Sequence, residues 1–209
     1  MRSYFFYLIC IFSLTSSANS WSSPSFSPLT EVIKQKISSD RKLTEGQIKS
    51  LWEGEVLSQV TVKTEKDKQK LDLWVSGLHP QNCKKALRKI SHYEGYPQFL
   101  TFIKKSEYDE SSKRWRLNLD HALMPFPMYL DFKMERVTKE GTFPFTFEKG
   151  FLSGLIGNVT TQEIEKRCQL TLTSRWQGAK TKIPDIVFST FVQTLSEMGL
   201  NHLIRSSML

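Results

Sequence analysis

KRWRLNLDHALMPFPMYLDFKMERVTKEGTFPFTFEKG, residues 113–150, reads as three strands in series. In the first, Trp115, Leu117, Leu119, His121 and Leu123 share one face, and Arg114, Arg116, Asn118 and Asp120 share the other. In the second, Phe126, Met128, Leu130, Phe132 and Met134 alternate with Tyr129, Asp131, Lys133 and Glu135. In the third, Phe143, Phe145 and Phe147 alternate with Pro144 and Thr146. Alternation with period two over this length marks an antiparallel sheet with one apolar and one wet face. The apolar face is rich in rings and methionine, so another part of the chain must cover it.

The rest of the chain supplies a cover. Residues 183–205 read as a long helix, with Pro184 suited to its start and Val187, Phe188, Phe191, Leu195, Met198 and His202 at helical spacing. Upstream, Thr30 is placed to cap TEVIKQKI, and Thr44 with Gln47 forms a capping-box start for TEGQIKSLWEG. Val56 to Lys63 and Lys70 to Leu78 read as a hairpin around TEKDKQ. Pro80 suits the first turn of the helix PQNCKKALRKISHYEG. Gly95-Tyr96-Pro97 breaks it, and PQFLTFI is a short helix or turn with Phe99, Leu100 and Ile103 inward. A strand starts at Lys104–Tyr108, and Arg167 to Trp176 is the last, with Cys168, Leu170, Leu172 and Trp176 on one face. Gly150, Gly154 and Gly157 lack the GxxxxGK[ST] spacing of a phosphate loop and read as a sharp bend or close backbone approach.

Residues 1–20 read as a signal peptide, with an uncleaved N-terminal anchor as the alternative: Arg2, the apolar run YFFYLICIFSL, then TSSANS with Ala18 and Ser20 before a cleavage site. The expected location is exported, periplasmic or secreted. Residues 21–54 form an N-terminal linker and helices, and 55–209 the main domain. Without residues 1–20 the chain keeps 28 basic against 21 acidic residues, a formal +7. That favours an anionic membrane surface as a transient partner. The charges are spread, without the basic and aromatic interleave of a nucleic-acid binder, so no nucleic-acid partner is expected. Cys83 and Cys168 remain, either a candidate disulfide or two buried thiols.

The order of strand pair, two short helices, run of antiparallel strands and long final helix resembles the helix-grip fold of the START and birch-pollen-allergen superfamily, SRPBCC. Within it, the chain is similar to the polyketide cyclase/dehydrase and coenzyme-Q-binding-protein group. HPQNCKKALRKISHYEGYPQFLTFIKKSEY matches a Pro-led helix, aromatic turn and strand, with His92 where an Asp is usual. PFPMYLDFKMER, the FEKG hairpin with its following glycines, and KIPD at the last helix also match, and LTEGQIKSLWEGEVL resembles exported bacterial members. The likeness covers about residues 45–205 and its motifs are structural. It implies an α+β fold in which a curved antiparallel sheet wraps a long C-terminal helix around an apolar cavity, the site of a lipid, sterol, quinone or polyketide.

The expected ligand-binding residues are Trp115, Leu117, Leu119, His121, Phe126, Met128, Leu130, Phe132, Met134, Phe143, Phe145, Phe147, Trp176, Phe188, Phe191, Leu195, Met198 and His202. Such walls suit a hydrophobic ligand, and methionine adds adaptable surface. His121 is the polar residue of the apolar strand face, able to orient a headgroup or to act as acid or base; its other reading is a histidine satisfied at the core edge. No HxxxH, CxxC or GxSxG occurs, so no metal, cofactor or catalytic residue is expected. The leading expectation is non-enzymatic binding of a lipid or quinone. The alternatives are a cyclase or dehydrase using His121, and a basic membrane-surface or protein-interaction module.

Overall fold

The computed structural model describes residues 31–38, 41–120 and 127–208. The signal-peptide reading of 1–20, the Thr30 cap, and the expected positions of His121, Leu123 and Phe126 lie outside these residues. Helices α1 (Glu31–Ile37) and α2 (Glu45–Trp52) lead into strands β1 (Leu57–Glu65) and β2 (Lys68–His79). Helix α3 (Cys83–Ile90) and a 3-10 helix at Tyr93–Gln98 follow. Then come β3 (Ile103–Asp109), β4 (Arg114–Leu119), β5 (Met128–Met134), β6 (Gly141–Gly150), β7 (Ile156–Ile164), β8 (Arg167–Ala179) and α4 (Asp185–Ser206). One antiparallel sheet runs in the order β1-β2-β8-β7-β6-β5-β4-β3, and α4 lies against β1 and β2. This is the α+β helix-grip architecture.

Local chemistry explains most element ends. Thr44 and Gln47 make the expected capping box. The β1–β2 turn is tighter than the six polar residues imply: only Lys66 and Asp67 separate the strands, with Lys66 at φ 55°. Helix α3 begins three residues later than the proline suggests, because Asn82 caps it through a bond from Lys85 N–H. Gly150 sits at φ +103° with its α-carbon against the Tyr129 carbonyl, where a side chain would collide. It therefore permits the β6 bend that the glycine run promised.

Cys83 and Cys168 are bridged, tying the start of α3 to the start of β8. The other side of the sheet has its own small core. Ile33, Ile37, Ile48, Leu51 and Trp52 of α1 and α2 pack with Leu78 of β2 and Ile164 of β7. The helices of the 21–54 segment thus cover the outer face of the main sheet.

Helix α4 is held along one edge by polar ties. At its start, Asp185 accepts from Thr64 N–H (2.7 Å), Thr64 Oγ1 (2.6 Å) and Gln69 Nε2 (2.6 Å). Those hydrogen bonds hold its carboxyl below the usual carboxylate range. Midway, Ser58 Oγ donates to Glu197 Oε1 (2.6 Å). Near the end, fully buried His79 accepts from Gln81 N–H at Nδ1 (3.0 Å), so Nε2 carries the proton that faces Ser207 Oγ (3.0 Å). Burial lowers the His79 pKa and keeps the ring neutral.

Candidate functional site

Between the inner face of the sheet and α4 the side chains leave a void. It has two lobes, of about 240 and 260 Å³. Both are bordered by Leu73, Trp115, Met134, Val159, Leu172 and Ser196, which makes them neighbouring parts of one space. The first lobe is largely aromatic, with Phe132, Phe145, Phe147, Phe151 and Phe191. The second is largely aliphatic, with Val75, Ile90, Leu170, Leu200 and Leu203, and is bounded by Tyr93 and Tyr96.

The void persists because its walls are braced. Tyr93 stacks on Trp115 with ring centroids 4.0 Å apart, and Phe132 stacks on Phe147 at 5.0 Å. Trp115 Nε1 donates to Ser106 Oγ (2.8 Å), which donates to the Tyr93 carbonyl (2.7 Å). Behind Tyr93, Arg136 lies over the Tyr93 and Tyr108 rings and pairs with Glu94 (2.6 Å) and Glu110 (2.5 Å). Rings locked by neighbours do not collapse inward, and α4, tied to β1 and β2, does not sink to meet them.

The polar content of the lining is small. Among the described residues lining either lobe, none is Asp, Glu, Lys, Arg or His. Tyr96 donates to the Ile90 carbonyl (2.6 Å), and the Tyr93 hydroxyl accepts from Val137 N–H (3.0 Å). Burial raises both phenols, Tyr93 to about 12 and Tyr96 well above its ordinary value. Ser196 donates to the Gln193 carbonyl of its own helix (3.0 Å). Ser174 is different. It is 6 % exposed, lines the aromatic lobe, and its hydroxyl has no hydrogen-bond partner among the described residues. A buried hydroxyl left unpaired costs about 1–3 kcal/mol.

Among the expected site residues, Trp115, Leu117, Met128, Leu130, Phe132, Met134, Phe145, Phe147, Phe191 and Leu195 border the first lobe. Leu119, Phe143, Trp176 and Phe188 are buried in the core but do not border the void. Met198 is half-buried against the core. His202 does not share the inner face, for it is exposed. Gly77 decides this, since its bare α-carbon receives Ile204 and Leu200, and a Cβ there would meet Ile204 Cδ1 at 2.7 Å. That seating turns His202 and the 53 % exposed Val187 outward. Asp131 faces outward as expected yet is buried, where it pairs with Arg114 (3.2 Å).

Sequence reasoning passed over Leu71, Leu73, Val159, Tyr93, Tyr96 and Ser174 as lining residues. Alternation along β8 places Ser174 between Leu172 and Trp176 on the same face, which was the available signal. Among the described residues, no group of three or more His, Cys, Asp or Glu is arranged to hold a metal ion. No helix there is long and apolar enough to cross a membrane.

A sheet closed over a C-terminal helix with an internal apolar cavity is the START/SRPBCC helix-grip fold, and the chain has that fold. The Zhui aromatase/cyclase from a Streptomyces species superposes with TM-score 0.56 at 14% identity, over 66% of this chain and 94% of that one. A START superfamily protein from Mycobacterium smegmatis superposes with TM-score 0.52 at 11% identity, over 74% and 98%. A Thermus thermophilus protein does so with TM-score 0.55 at 15% identity, over 66% and 97%. No family model matches the sequence, and no curated protein matches it.

Proposed function

We propose that this protein binds an uncharged hydrophobic small molecule, a neutral lipid or quinone, in the cavity between sheet and α4, and carries or sequesters it without chemical change. The observation that carries this reading is a two-lobed apolar void whose lining, among the described residues, holds no ionisable side chain other than two tyrosines. Burying a charge there would be costly, whereas apolar surface gains about 25 cal/mol per Å² removed from water. Export as a periplasmic or secreted protein fits a carrier role and follows from the reading of residues 1–20.

The test is extraction of the purified protein into organic solvent, with mass spectrometry of the extract, followed by reloading of delipidated protein. A stoichiometric neutral lipid is the expected result. An empty extract together with failure to take up any apolar compound would end the carrier reading. The neighbour described as an aromatase/cyclase keeps an enzyme in view. Such chemistry needs a titrating acid or base. The tyrosines, raised by burial, are poorly placed for it near neutral pH. His121→Ala is the decisive variant for that route.

A second reading, docking on an anionic bilayer, rests on the start of α4. Ile186 is 76 % and Val187 53 % exposed, next to Phe188, which packs on Phe151 of the cavity wall. Lys180 and Lys182 lie just before them, and Lys180 N–H bonds the Asp67 carbonyl between Lys66 and Lys68. These four lysines are exposed and make no ion pair among the described residues. Exposed aliphatics ringed by lysine suit a negatively charged lipid surface. Binding to phosphatidylserine vesicles that disappears at high salt supports this contact, and indifference to vesicle charge removes it.

A further inference from the structure

We propose that Ser174 is the polar anchor of the cavity, and that the ligand class is an uncharged lipid bearing a hydroxyl or carbonyl oxygen which hydrogen-bonds that side chain. This rests on the carrier reading and narrows it from any hydrophobic molecule to one with a single matched oxygen.

Three observations meet at this residue. First, Ser174 lies on the inner face of β8, opposite Leu73 of β2 and Gly157 of β7. At Gly157 a Cβ would meet the Thr173 carbonyl at 2.3 Å and the Phe145 ring at 2.6 Å, so the bare α-carbon leaves room for that ring. The hydroxyl is thus set among Leu73, Leu172 and Phe145, all of which line the same lobe. Second, no described residue satisfies it. Other polar atoms around the cavity are already bonded within the walls: Trp115 Nε1 to Ser106, the Tyr96 hydroxyl to Ile90, and Ser196 Oγ to Gln193. On the outer face of the same strand, Thr171 finds Ser76 at 2.9 Å. Third, no charged residue among the described ones lines the space, so the complement to Ser174 is neutral.

A hydroxyl group both donates and accepts, so Ser174 can donate to a carbonyl or exchange a bond with an alcohol. A carboxylate or phosphate would arrive with a full charge and no cation to meet it. The site therefore discriminates by leaving its own hydroxyl unpaired when the ligand lacks the oxygen, the same asymmetry by which hydrogen-bonding sites reject analogues lacking a polar group.

The experiment titrates delipidated full-length protein with four probes of equal chain length: dodecyl alcohol, methyl decyl ketone, dodecane and laurate at a pH where it is ionised. In the wild type the alcohol and ketone bind about tenfold tighter than dodecane, equivalent to about 1.4 kcal/mol, and laurate binds weakest. Ser174→Ala removes the alcohol and ketone advantage, leaves dodecane affinity unchanged, and unfolds at the same or a higher temperature. Ser174→Thr, which keeps a hydroxyl, retains the preference. If all four probes bind the Ala variant as they bind the wild type, with the preference intact, Ser174 is not the anchor, although the cavity still carries apolar ligand. Laurate binding as tightly as the alcohol overturns the neutral class. If no probe binds either protein, the carrier reading itself fails and the anchor goes with it.

Discussion

The two faces of strands β2 and β8 are made from alternate residues of the same sequence, yet the outer one is solid where α1 and α2 cover it and the inner one is hollow beneath α4. On the outer face, Ile33, Ile37, Leu51 and Trp52 of two short helices close over Leu78, with Ile164 fully buried beside them. Polar groups beneath the helices are paired there: Gln169 Nε2 donates to Ser76 Oγ (3.1 Å) and to the Ile37 carbonyl (3.2 Å). On the inner face, Leu73, Leu172 and Ser174 look into unfilled space. The difference lies in the covering elements. Short helices carrying aliphatic side chains can settle until they touch the sheet. Helix α4 is held at Asp185, Glu197 and Ser207, and faces rings that brace one another. A protein can thus keep a cavity in a close-packed fold by fixing the frame before the contents.

Truncation on each face should break this comparison most directly. Leu51→Ala opens a new hole in the solid face and should cost about 2–5 kcal/mol in urea unfolding. Leu172→Ala enlarges a space that already exists, and should cost about 2 kcal/mol or less, chiefly the lost transfer energy. Equal losses would mean that the inner void is filled in solution. Next in size is Val159→Phe, which points a larger side chain at both lobes. Stability should change by less than about 1.5 kcal/mol, because the added ring has room. Binding of dodecyl alcohol should fall about tenfold or more. A large loss of stability with intact binding would show the space to be elsewhere.

The smallest expected effect tests the polar tie at the end of α4. The folded pKa of His79 is lowered from 6.5 by burial, so below about 6.5 the unfolded chain takes up the proton first. The stability it contributes is complete above that pH and is lost as pH falls towards the depressed folded value. Unfolding followed between about pH 7.5 and pH 5 should show this slope in the wild type. It should be shallower in His79→Gln; parallel profiles would remove His79 as its source.

Much of this was legible in the chain. Period-two alternation from Trp115 to Phe147, the Thr44 box and the long final helix lead to a sheet with a helix across it. These are local patterns, and local patterns survive folding because each strand or helix must hide one face. The pairing of Cys83 with Cys168 was open, because the two are 85 residues apart and only the return of β8 beside β2 brings β8's start to α3. His202 was misplaced for a related reason. Its spacing fits an apolar stripe, but the rotation of α4 is set by how Ile204 seats on Gly77, a contact 127 positions away.

Composition and alternation by themselves determined that there would be an apolar inner face and what would cross it. Whether that face closes into a solid core or a cavity was decided only in three dimensions. It depends on polar ties such as Thr64 to Asp185, and on rings stacked at 4.0 Å, that hold two greasy surfaces apart. The same holds for Ser174. Its position on the face follows from counting along β8, but its lack of a partner among the described residues is a property of the tertiary packing around it.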